Sequence, residues 1–331
     1  MFRQYLVTGA TGFLGRAVIA ELLKTNAALK ALVLPSDPLA GQLPDSVTVV
    51  EGDVCQEESL GAFFSGADAE TCVIHCAGIV SVASKPGNHL YQVNVEGTRN
   101  IISRCLAHMV GKVIYVSSVH AIPEKPKGTA IMEPSVIMPE LVKGDYGKSK
   151  AMATKLAMEA VANGLNVSIV FPSGIIAPGD TIGGSITCML QSFLAGKLPC
   201  AVKGGYDFVD VRDVATGIVA CAESGEPGQG YILSGHFATI REILNTIKTA
   251  VINKRPVLYL PYGFSRLIAP YYEQFCLRKR KPLFFTPYSV AVLNSNAEFR
   301  HDRATRSFHY MPRSLQDTLL DTVKWLQCCK I

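Results

Sequence analysis

The chain has 331 residues, enough for one large domain or two unequal domains with ample core. It is 48% hydrophobic and 18% charged, a composition typical of a compact globular protein. The net charge of +5 is mild and no basic stripe with interleaved aromatic residues occurs, which argues against a nucleic-acid partner. No apolar run reaches membrane-spanning length.

Cysteine usage points to a reducing compartment. The ten cysteines are scattered and form no CxxC pair, so we predict reduced thiols, no metal site and a cytoplasmic protein. Residues 1–4 lead directly into the first predicted strand, and we therefore expect no signal peptide.

A glycine-rich stretch opens the chain. An apolar strand ends at three glycines, and a helical pattern follows them. Gly9 permits a tight turn, Gly12 lets a pyrophosphate approach the backbone, and Gly15 lets the helix pack closely on the strand. The phosphates would lie at a helix N-terminus, where free N–H groups and the helix dipole favour negative charge. This pattern predicts a dinucleotide site.

Short apolar runs alternate with helix-length segments through the first 235 residues. The predicted strands are 4–8, 29–34, 47–50, 72–76, 112–117, 167–171 and 230–233. This alternation predicts βαβ units with right-handed crossovers, and hence an α/β fold with a doubly wound parallel sheet of the Rossmann type.

The ends of the second and third strands hold candidate cofactor residues. In dinucleotide folds, an acid after the second strand binds the ribose diol of NAD, whereas an arginine accepts the 2′-phosphate of NADP. Leu34 occupies that position and is neither. Asp37 lies three residues further along the chain, and it is either a ribose ligand or a solvated turn residue. After the third strand, Asp53 is predicted to accept a hydrogen bond from the adenine amino group.

The fourth strand ends in the small residues Ala77 and Gly78, which would let the cofactor lie against the backbone. His75 is predicted to be a packed core residue, because nothing nearby completes a metal site. Asn94 opens a following helix and is predicted to tie that helix to the neighbouring strand.

The fifth strand ends at Ser117 and Ser118, and a helix is predicted from Asp145 to about 163–164. Asp145 is its expected N-cap and Gly164 its expected C-cap. The carboxyl ends of parallel strands face the ligand crevice, which places both serines there.

Tyr146 and Lys150 are four residues apart on one helix face. A free tyrosine has a pKa of about 10 and is a poor base at neutral pH. A nearby ammonium group would lower that pKa, and the same lysine could bind the nicotinamide ribose. A serine hydroxyl at the strand end would position the substrate oxygen.

Together these motifs resemble the extended short-chain dehydrogenase/reductases, the NAD-dependent epimerase/dehydratase superfamily. The motifs that carry the resemblance are TGATGFLG at 8–15, GDV at 52–54, HCAG at 75–78, NVEGT at 94–98, VSS at 116–118 and YGKSK at 146–150. The resemblance implies NAD or NADP as cofactor and Ser118, Tyr146 and Lys150 as the catalytic set. Leu34 leaves the choice between the two cofactors open.

The resemblance also implies a cofactor-binding surface. Its residues are Gly9, Thr11, Gly12, Phe13, Leu14, Leu34, Asp53, Val54, Ala77, Gly78, Tyr146, Lys150, Pro172 and Ile175.

Two departures separate the chain from nucleotide-sugar enzymes. The segment 171–180 lacks the asparagine that contacts a nucleotide diphosphate, and no acid pair follows Ser118. The proline-led segment is similar to dihydroflavonol reductases and 3β-hydroxysteroid dehydrogenases. This similarity implies hydride transfer between a ketone and a secondary alcohol on an apolar small molecule. A nucleotide-sugar epimerase or dehydratase and an NAD(P)-binding redox-sensing regulator are the alternatives.

We expect two domains. Residues 1–171 and 207–237 would form the cofactor domain, and 172–206 and 238–331 a smaller, mostly helical substrate-binding lid. The segment 207–215 is predicted to return the chain to the sheet as a strand-to-helix corner with structural roles for Asp210 and Arg212. The lid is rich in apolar and aromatic residues, which would form a small core or line an apolar crevice: Met189, Phe193, Tyr262, Phe264, Tyr271, Tyr272, Phe284 and Phe285.

The basic run 278–281 follows an aromatic segment. Its pattern favours a solvated face, with membrane-surface contact over 262–281 and contact with polyphosphate or an acidic partner as alternatives. A homodimer is an open alternative for the whole chain. Residues 315–326 are predicted to form a closing amphipathic helix.

Overall fold

The computed structural model describes residues 2–248 and 256–329. Strands in these ranges are β1 (Gln4–Thr8), β2 (Ala28–Val33), β3 (Val47–Glu51), β4 (Thr71–His75), β5 (Lys112–Val116), β6 (Val167–Pro172), β7 (Gly174–Ile176), β8 (Cys200–Val202), β9 (Gly205–Asp210), β10 (Gly230–Leu233), β11 (His236–Thr239) and β12 (Leu258–Leu260).

The helices of the same ranges flank these strands. They are α1 (Phe13–Leu22), α2 (Gly61–Phe64), α3 (His89–Tyr91), α4 (Gly97–Ala107), α5 (Asp145–Ala162), α6 (Ser185–Leu194), α7 (Val211–Ser224), α8 (Ile240–Ile247), α9 (Tyr262–Lys279), α10 (Pro287–Leu293), α11 (Asp302–Phe308) and α12 (Leu315–Cys328). A π-helical turn, Gln92–Glu96, joins α3 to α4.

Seven parallel strands form the main sheet, in the order β10-β6-β5-β4-β1-β2-β3. The seven predicted strands are confirmed within one residue at each end. The strand order reverses between β1 and β4, so their carboxyl ends open a crevice at this switch point. Thr8 of β1 pairs with His75 of β4, and His75 pairs with Tyr115 of β5. The ends of these three strands are therefore aligned at the edge of the crevice.

Side chains of the main sheet alternate between two cores, as strand geometry requires. Leu6 and Val73 lie in one apolar cluster, whereas Val7 and Ile74 lie in the other. Helices α4 and α5 cover the first face, and α1 and α7 pack together over the second. Burial on both faces matches the continuous apolar strands of the sequence.

The segment 207–215 does not return to the main sheet, so that expectation is wrong. Strand β9 pairs with β7 and β11 in a separate three-stranded sheet. Glycines permit this pairing: a Cβ at Gly174 would lie 2.9 Å from the carbonyl oxygen of Asp207, and one at Gly235 would collide with that of Phe208. A further small sheet joins β8 to β12.

The corner after β9 is structural, as predicted. Asp210 caps α7 by accepting a hydrogen bond from the Arg212 N–H at 2.9 Å. The same carboxylate accepts from Thr318 Oγ1 at 2.8 Å, and Asp213 accepts from the Arg313 N–H at 2.8 Å. These bonds fix α12 against the start of α7.

The start of the predicted catalytic helix differs by one residue from the sequence expectation. Gly144, with φ of 76°, is the N-cap of α5, and Asp145 is the first helical residue. The Asp145 carboxylate accepts a hydrogen bond from the Tyr91 hydroxyl at 3.2 Å instead of capping the helix. The C-cap of α5 is Asn163, one residue before the predicted Gly164, which has φ of 88°.

Two further findings concern the cysteines and the helices of the described residues. All ten cysteines lie in the described ranges and carry free thiols. Across residues 2–248 and 256–329, no helix combines the length and the apolar character needed to cross a bilayer.

Candidate active site

The glycine loop after β1 has the geometry of a phosphate cradle. Gly9 has φ of 64°, and a Cβ there would lie 2.7 Å from the Ala77 backbone nitrogen. A Cβ at Gly15 would collide with the Gly9 carbonyl oxygen. Side chains are therefore sterically excluded at both positions, and the loop lies directly against the end of β4.

Helix α1 starts at this loop with free donors. Its N-cap is Gly12, which has no side chain to cap the first turn, so the N–H groups of Phe13 and Leu14 have no partner within the helix. These donors and the helix dipole suit a pyrophosphate. The open cradle and free donors fit the dinucleotide predicted from the sequence.

A carboxylate lies beside the cradle. Asp37 Oδ2 accepts a hydrogen bond from Thr11 Oγ1 at 2.7 Å, and Oδ1 accepts from the Leu39 N–H at 2.9 Å. The Leu34 side chain is exposed at the end of β2. Asp53 Oδ1 accepts from the Cys55 N–H at 2.8 Å, which holds the half-buried carboxylate in a turn after β3.

The end of β4 connects the cradle to Lys150. The Ala77 N–H donates to Thr8 Oγ1 at 3.1 Å. At Gly78 an added Cβ would lie 3.2 Å from Asn94 Oδ1 and 3.8 Å from Lys150 Nζ. The predicted cofactor residues Ala77 and Gly78 therefore lie between the glycine loop and Lys150.

Asn94 has the predicted structural role. Its Oδ1 accepts from the Ile79 N–H at 2.7 Å, and its Nδ2 donates to the Ile79 carbonyl oxygen at 3.0 Å. Nδ2 also donates to Ser149 Oγ at 2.9 Å. One side chain thus fixes the segment after β4, the π-helical turn and α5 relative to each other.

His75 is a core residue, as predicted. Its ring nitrogens are 2.7 Å from Thr8 Oγ1 and 3.0 Å from Thr98 Oγ1, and burial lowers its pKa to about 3. In the ranges that the structure describes, no group of three or more His, Cys, Asp or Glu side chains could hold a metal ion.

The two serines after β5 have different partners. Ser117 Oγ is 2.6 Å from Thr154 Oγ1, a buried contact between β5 and α5. Ser118 Oγ accepts from the His120 N–H at 3.2 Å, and the Ser118 side chain acts to lower the pKa of the Tyr146 phenol. This geometry favours Ser118 over Ser117 as the partner of Tyr146.

Lys150 is buried at the edge of the crevice. Its Nζ donates to the Val116 carbonyl oxygen at 2.6 Å and lies 4.5 Å from the centroid of the Tyr115 ring. Burial lowers its pKa to about 7, and Cys76 offsets part of that effect. The ammonium group is thus close to its titration point at neutral pH.

The pKa of Tyr146 is raised by burial, and the Ser118 hydrogen bond offsets only part of this. The expectation that Lys150 lowers this pKa is therefore not met. The reason is that burial dominates and the Lys150 ammonium is directed at the Val116 carbonyl oxygen. At neutral pH Tyr146 is therefore a neutral phenol.

Sequence reasoning missed a histidine beside this phenol. The ring centroids of His120 and Tyr146 are 5.8 Å apart. His120 Nε2 is 3.3 Å from the Tyr206 hydroxyl, and Nδ1 is 3.2 Å from the Tyr288 hydroxyl. Burial lowers the pKa of His120 to about 4, so the imidazole is neutral at pH 7.

The contributors to this cluster come from separate elements. His120 follows β5, Tyr206 lies on β9, and Tyr288 lies on α10. The Tyr288 ring packs against Gly144, where a Cβ would collide with it. The position of His120 two residues after Ser118 was the only local signal.

Arg16 was also missed, and it brings the segment after β7 to the glycine loop. Its Nη2 donates to the Gly179 carbonyl oxygen at 2.7 Å and to Thr181 Oγ1 at 2.9 Å. The predicted cofactor residues Pro172 and Ile175 lie at the end of β6 and in β7, on the path to this contact.

Comparison with known proteins adds independent findings. The model of the NAD dependent epimerase/dehydratase family matches residues 5–234. That range contains the glycine loop, Ser118, Tyr146 and Lys150.

Two curated relatives match almost the whole chain. The sterol demethylase protein B of Methylococcus capsulatus is 28% identical over 97% of this chain and 98% of its own length. The 3 beta-hydroxysteroid dehydrogenase type 7 of Homo sapiens is 30% identical over 98% of this chain and 95% of its own. Among solved structures, that of gox2253 superimposes with a TM-score of 0.85 at 27% identity, covering 99% of this chain and 98% of that one.

Proposed function

Because the chain belongs to the NAD dependent epimerase/dehydratase family, and is thus an enzyme that uses a nicotinamide cofactor, we propose that it interconverts a ketone and a secondary alcohol on an apolar small molecule. The observation that carries this proposal is the neutral Tyr146 phenol beside Ser118 at the carboxyl edge of the sheet. The names of relatives that are a steroid dehydrogenase and a sterol demethylase support the apolar substrate.

In this proposal Tyr146 is the general acid of the reduction. Its phenol donates a proton to the carbonyl oxygen, and Ser118 donates a hydrogen bond to the same oxygen. The bound nicotinamide supplies the hydride in reduction and accepts it in oxidation. In oxidation Tyr146 takes the alcohol proton back, so both directions use the same two hydroxyls.

Lys150 is the third member of the proposed catalytic set. Its Nζ lies near Gly78 and donates to the Val116 carbonyl oxygen, at the edge where a nicotinamide ribose would bind. There it would donate to a ribose hydroxyl and hold the cofactor beside Tyr146.

The substrate would bind under the predicted lid, residues 172–206 and 238–331. Met189 and Phe193 are buried apolar residues of α6 within that segment. The segment 171–180 has no asparagine for a nucleotide diphosphate. These features favour an apolar ketone over a nucleotide sugar.

A substrate screen tests the proposal. We expect steroid or flavonoid ketones to oxidise reduced cofactor and UDP- or dTDP-sugars to be inert. Tyr146→Phe should lower the rate at least about 10²-fold and keep cofactor affinity, because proton transfer contributes about 10²–10⁴-fold. Tyr271→Phe, which removes an exposed hydroxyl, is the control. Conversion of a sugar nucleotide without net cofactor oxidation, with all ketones inert, would contradict the proposal.

We also propose that the protein prefers NAD to NADP, because the Asp37 carboxylate lies beside the cradle and would repel a 2′-phosphate. The preference should be modest, roughly tenfold, because one charge acts in partly solvated surroundings. Calorimetric titration gives the ratio of the dissociation constants of NADP and NAD. Asp37→Ser should bring this ratio closer to one, whereas Asp45→Ser, at an exposed site, should leave it unchanged. Equal affinities in the wild type would contradict this.

A further inference from the structure

Helix α9 carries most of its large apolar side chains on the outside. The residues that it buries are small or polar: Ser265, Ala269, Glu273 and Cys276. Large apolar residues occupy exposed positions, and four of them form what we call the α9 stripe: Phe264, Leu267, Tyr271 and Phe275. This is the reverse of the usual surface helix, whose apolar face lies on the core.

The α9 stripe is continuous. Its members follow each other at spacings of three, four and four residues, so they share one face over about 16 Å of helix. Their exposed fractions are 53%, 67%, 76% and 46%. Isolated exposed apolar residues need no explanation, but a contiguous stripe of this size marks an interaction surface.

A basic cluster ends the same helix: Arg278, Lys279, Arg280 and Lys281. Lys281 Nζ lies 5.2 Å from the centroid of the Phe275 ring, which places a cation against the end of the stripe. The only acid between residues 262 and 281 is Glu273. It is buried, and both oxygens accept hydrogen bonds from Ser84 at 2.7 Å. The outward surface of α9 is therefore apolar and positively charged.

We propose that α9 docks the protein on the surface of an anionic phospholipid bilayer. The stripe would enter the boundary between headgroups and acyl chains, and the basic cluster would contact lipid phosphates. A helix lying in the interface needs an apolar face and cationic flanks, and it does not need to span the bilayer. The sequence alone favoured a solvated face here, because it does not show which side of the helix is buried.

The position of α9 relates this surface to the candidate active site. Helix α9 packs against α10, which carries Tyr288, and Tyr288 contacts His120 beside Tyr146. Docking would thus hold the site next to the bilayer, where apolar molecules partition. This last step rests on the proposed function, whereas the docking itself does not.

A second copy of the chain fits the surface less well. A two-fold interface brings the same patch of both copies together, and this patch has basic residues without an exposed acid to pair with them. An anionic bilayer supplies that negative charge.

Vesicle sedimentation of the full chain tests the proposal. With vesicles of phosphatidylcholine and phosphatidylglycerol at 3:1, we expect the wild type to pellet. Leu267→Glu/Tyr271→Glu should weaken the partition at least tenfold. Lys279→Gln/Lys281→Gln should weaken it about 25-fold, since each lysine near an anionic surface contributes about fivefold. Pure phosphatidylcholine vesicles should bind the wild type more weakly.

The control is Val136→Glu/Met311→Glu, which makes the same charge change at two exposed apolar residues outside α9. It should bind like the wild type. A wild type that stays in the supernatant, or a control that loses as much binding as the α9 variants, would overturn the proposal. Circular dichroism of every variant checks that the fold is kept.

The second measurement is the molar mass of the protein in solution without lipid, which reports its oligomeric state. We expect the wild type and the α9 variants to have the same mass by light scattering. A wild-type dimer that becomes a monomer in Leu267→Glu/Tyr271→Glu would assign the stripe to contacts between copies and overturn the bilayer proposal. None of these measurements uses turnover, so their failure is separate from failure of the proposed reaction.

Discussion

His120 lies between two tyrosine hydroxyls, and both of its ring nitrogens have a partner. Because the imidazole is neutral at pH 7, one nitrogen donates and the other accepts. One tyrosine therefore accepts a hydrogen bond from His120, and its own proton remains free. The Tyr206 ring also stacks on the imidazole, with centroids 5.5 Å apart and planes 8° apart. We interpret His120 as a positioning residue for the pocket around Tyr146.

Replacing this imidazole should disturb the pocket and leave the cofactor cradle intact. For His120→Phe we expect kcat to fall about tenfold, because small misplacements near a reacting group cost one to two orders of magnitude. The dissociation constant of NAD should stay within about threefold. Steady-state kinetics and calorimetry check both values. His89→Phe, at an exposed site, is the control, and an equal loss of kcat in both variants would contradict the role.

Local motifs explain why the positions of Ser118, Tyr146 and Lys150 at one edge of the sheet could be predicted, whereas the cluster around His120 could not. Ser118, Tyr146 and Lys150 follow from a strand end and one helix face, which spacing reveals. Contacts among His120, Tyr206 and Tyr288 join segments about 80 to 170 residues apart, and no spacing rule encodes them. The direction of the Lys150 side chain depends on its hydrogen bond to the Val116 carbonyl oxygen, and the spacing of the motif does not predict that bond either.

At the scale of elements, Asp210 joins three parts of the fold. It caps α7, binds the Arg212 guanidinium and accepts from Thr318 of α12. The hydrogen bonds of Arg212 and Thr318 hold the pKa of this buried carboxyl below its usual value, although burial opposes them. The carboxylate therefore stabilises the fold at neutral pH.

Removing the Asp210 carboxylate should lower the stability of the fold. For Asp210→Ala we expect the free energy of unfolding to fall by about 3 kcal/mol, because a cap and a buried ionic partner are lost together. Asp321→Ala removes the partly exposed second partner of the same arginine and should cost less than about 1 kcal/mol. Urea unfolding compares the two. A loss for Asp210→Ala as small as that for Asp321→Ala would show that the corner does not depend on this carboxylate.

Elements were predictable where a pattern repeats and unpredictable where pairing depends on distant backbone. The seven strands of the main sheet are apolar runs at regular intervals, and all were predicted. Strand β9 has the same local appearance, but its pairing with β7 and β11 depends on close approach at Gly174 and Gly235. For α9, Phe264 and Tyr271 were assigned to a small core or a crevice, whereas the structure exposes both.

At the scale of the whole molecule, buried basic groups give the fold a distinct response to pH. Burial lowers the pKa of Lys150 to about 7, of His75 to about 3 and of His120 to about 4. In each case the unfolded chain binds more protons than the folded chain between the lowered and the ordinary pKa. Stability contributed by these groups therefore rises with pH, between about 3 and 6.5 for the histidines and above about 7 for Lys150.

The Lys150 contribution can be measured separately. The free energy of unfolding of the wild type, minus that of Lys150→Met, should rise as pH increases from 7 to 9. The slope should approach about 1.4 kcal/mol per pH unit, the value for release of one proton. Lys148→Met, an exposed neighbour on the same helix, should give no such rise. A flat difference for Lys150→Met would contradict a buried, titrating ammonium group.

The bonds of Thr318 and Arg313 to Asp210 and Asp213 have a consequence for synthesis on the ribosome. The bonded residues are 108 and 100 positions apart, so α7 lacks these partners until the last part of the chain has been translated. All seven strands of the main sheet have been made by then, but α12 has not yet covered its part of the first apolar cluster, where Leu319, Val323 and Leu326 pack. A nascent chain that stalls before residue 313 therefore exposes the apolar surface that α12 covers on α8, β7 and β9, and we expect it to be prone to aggregation at this stage.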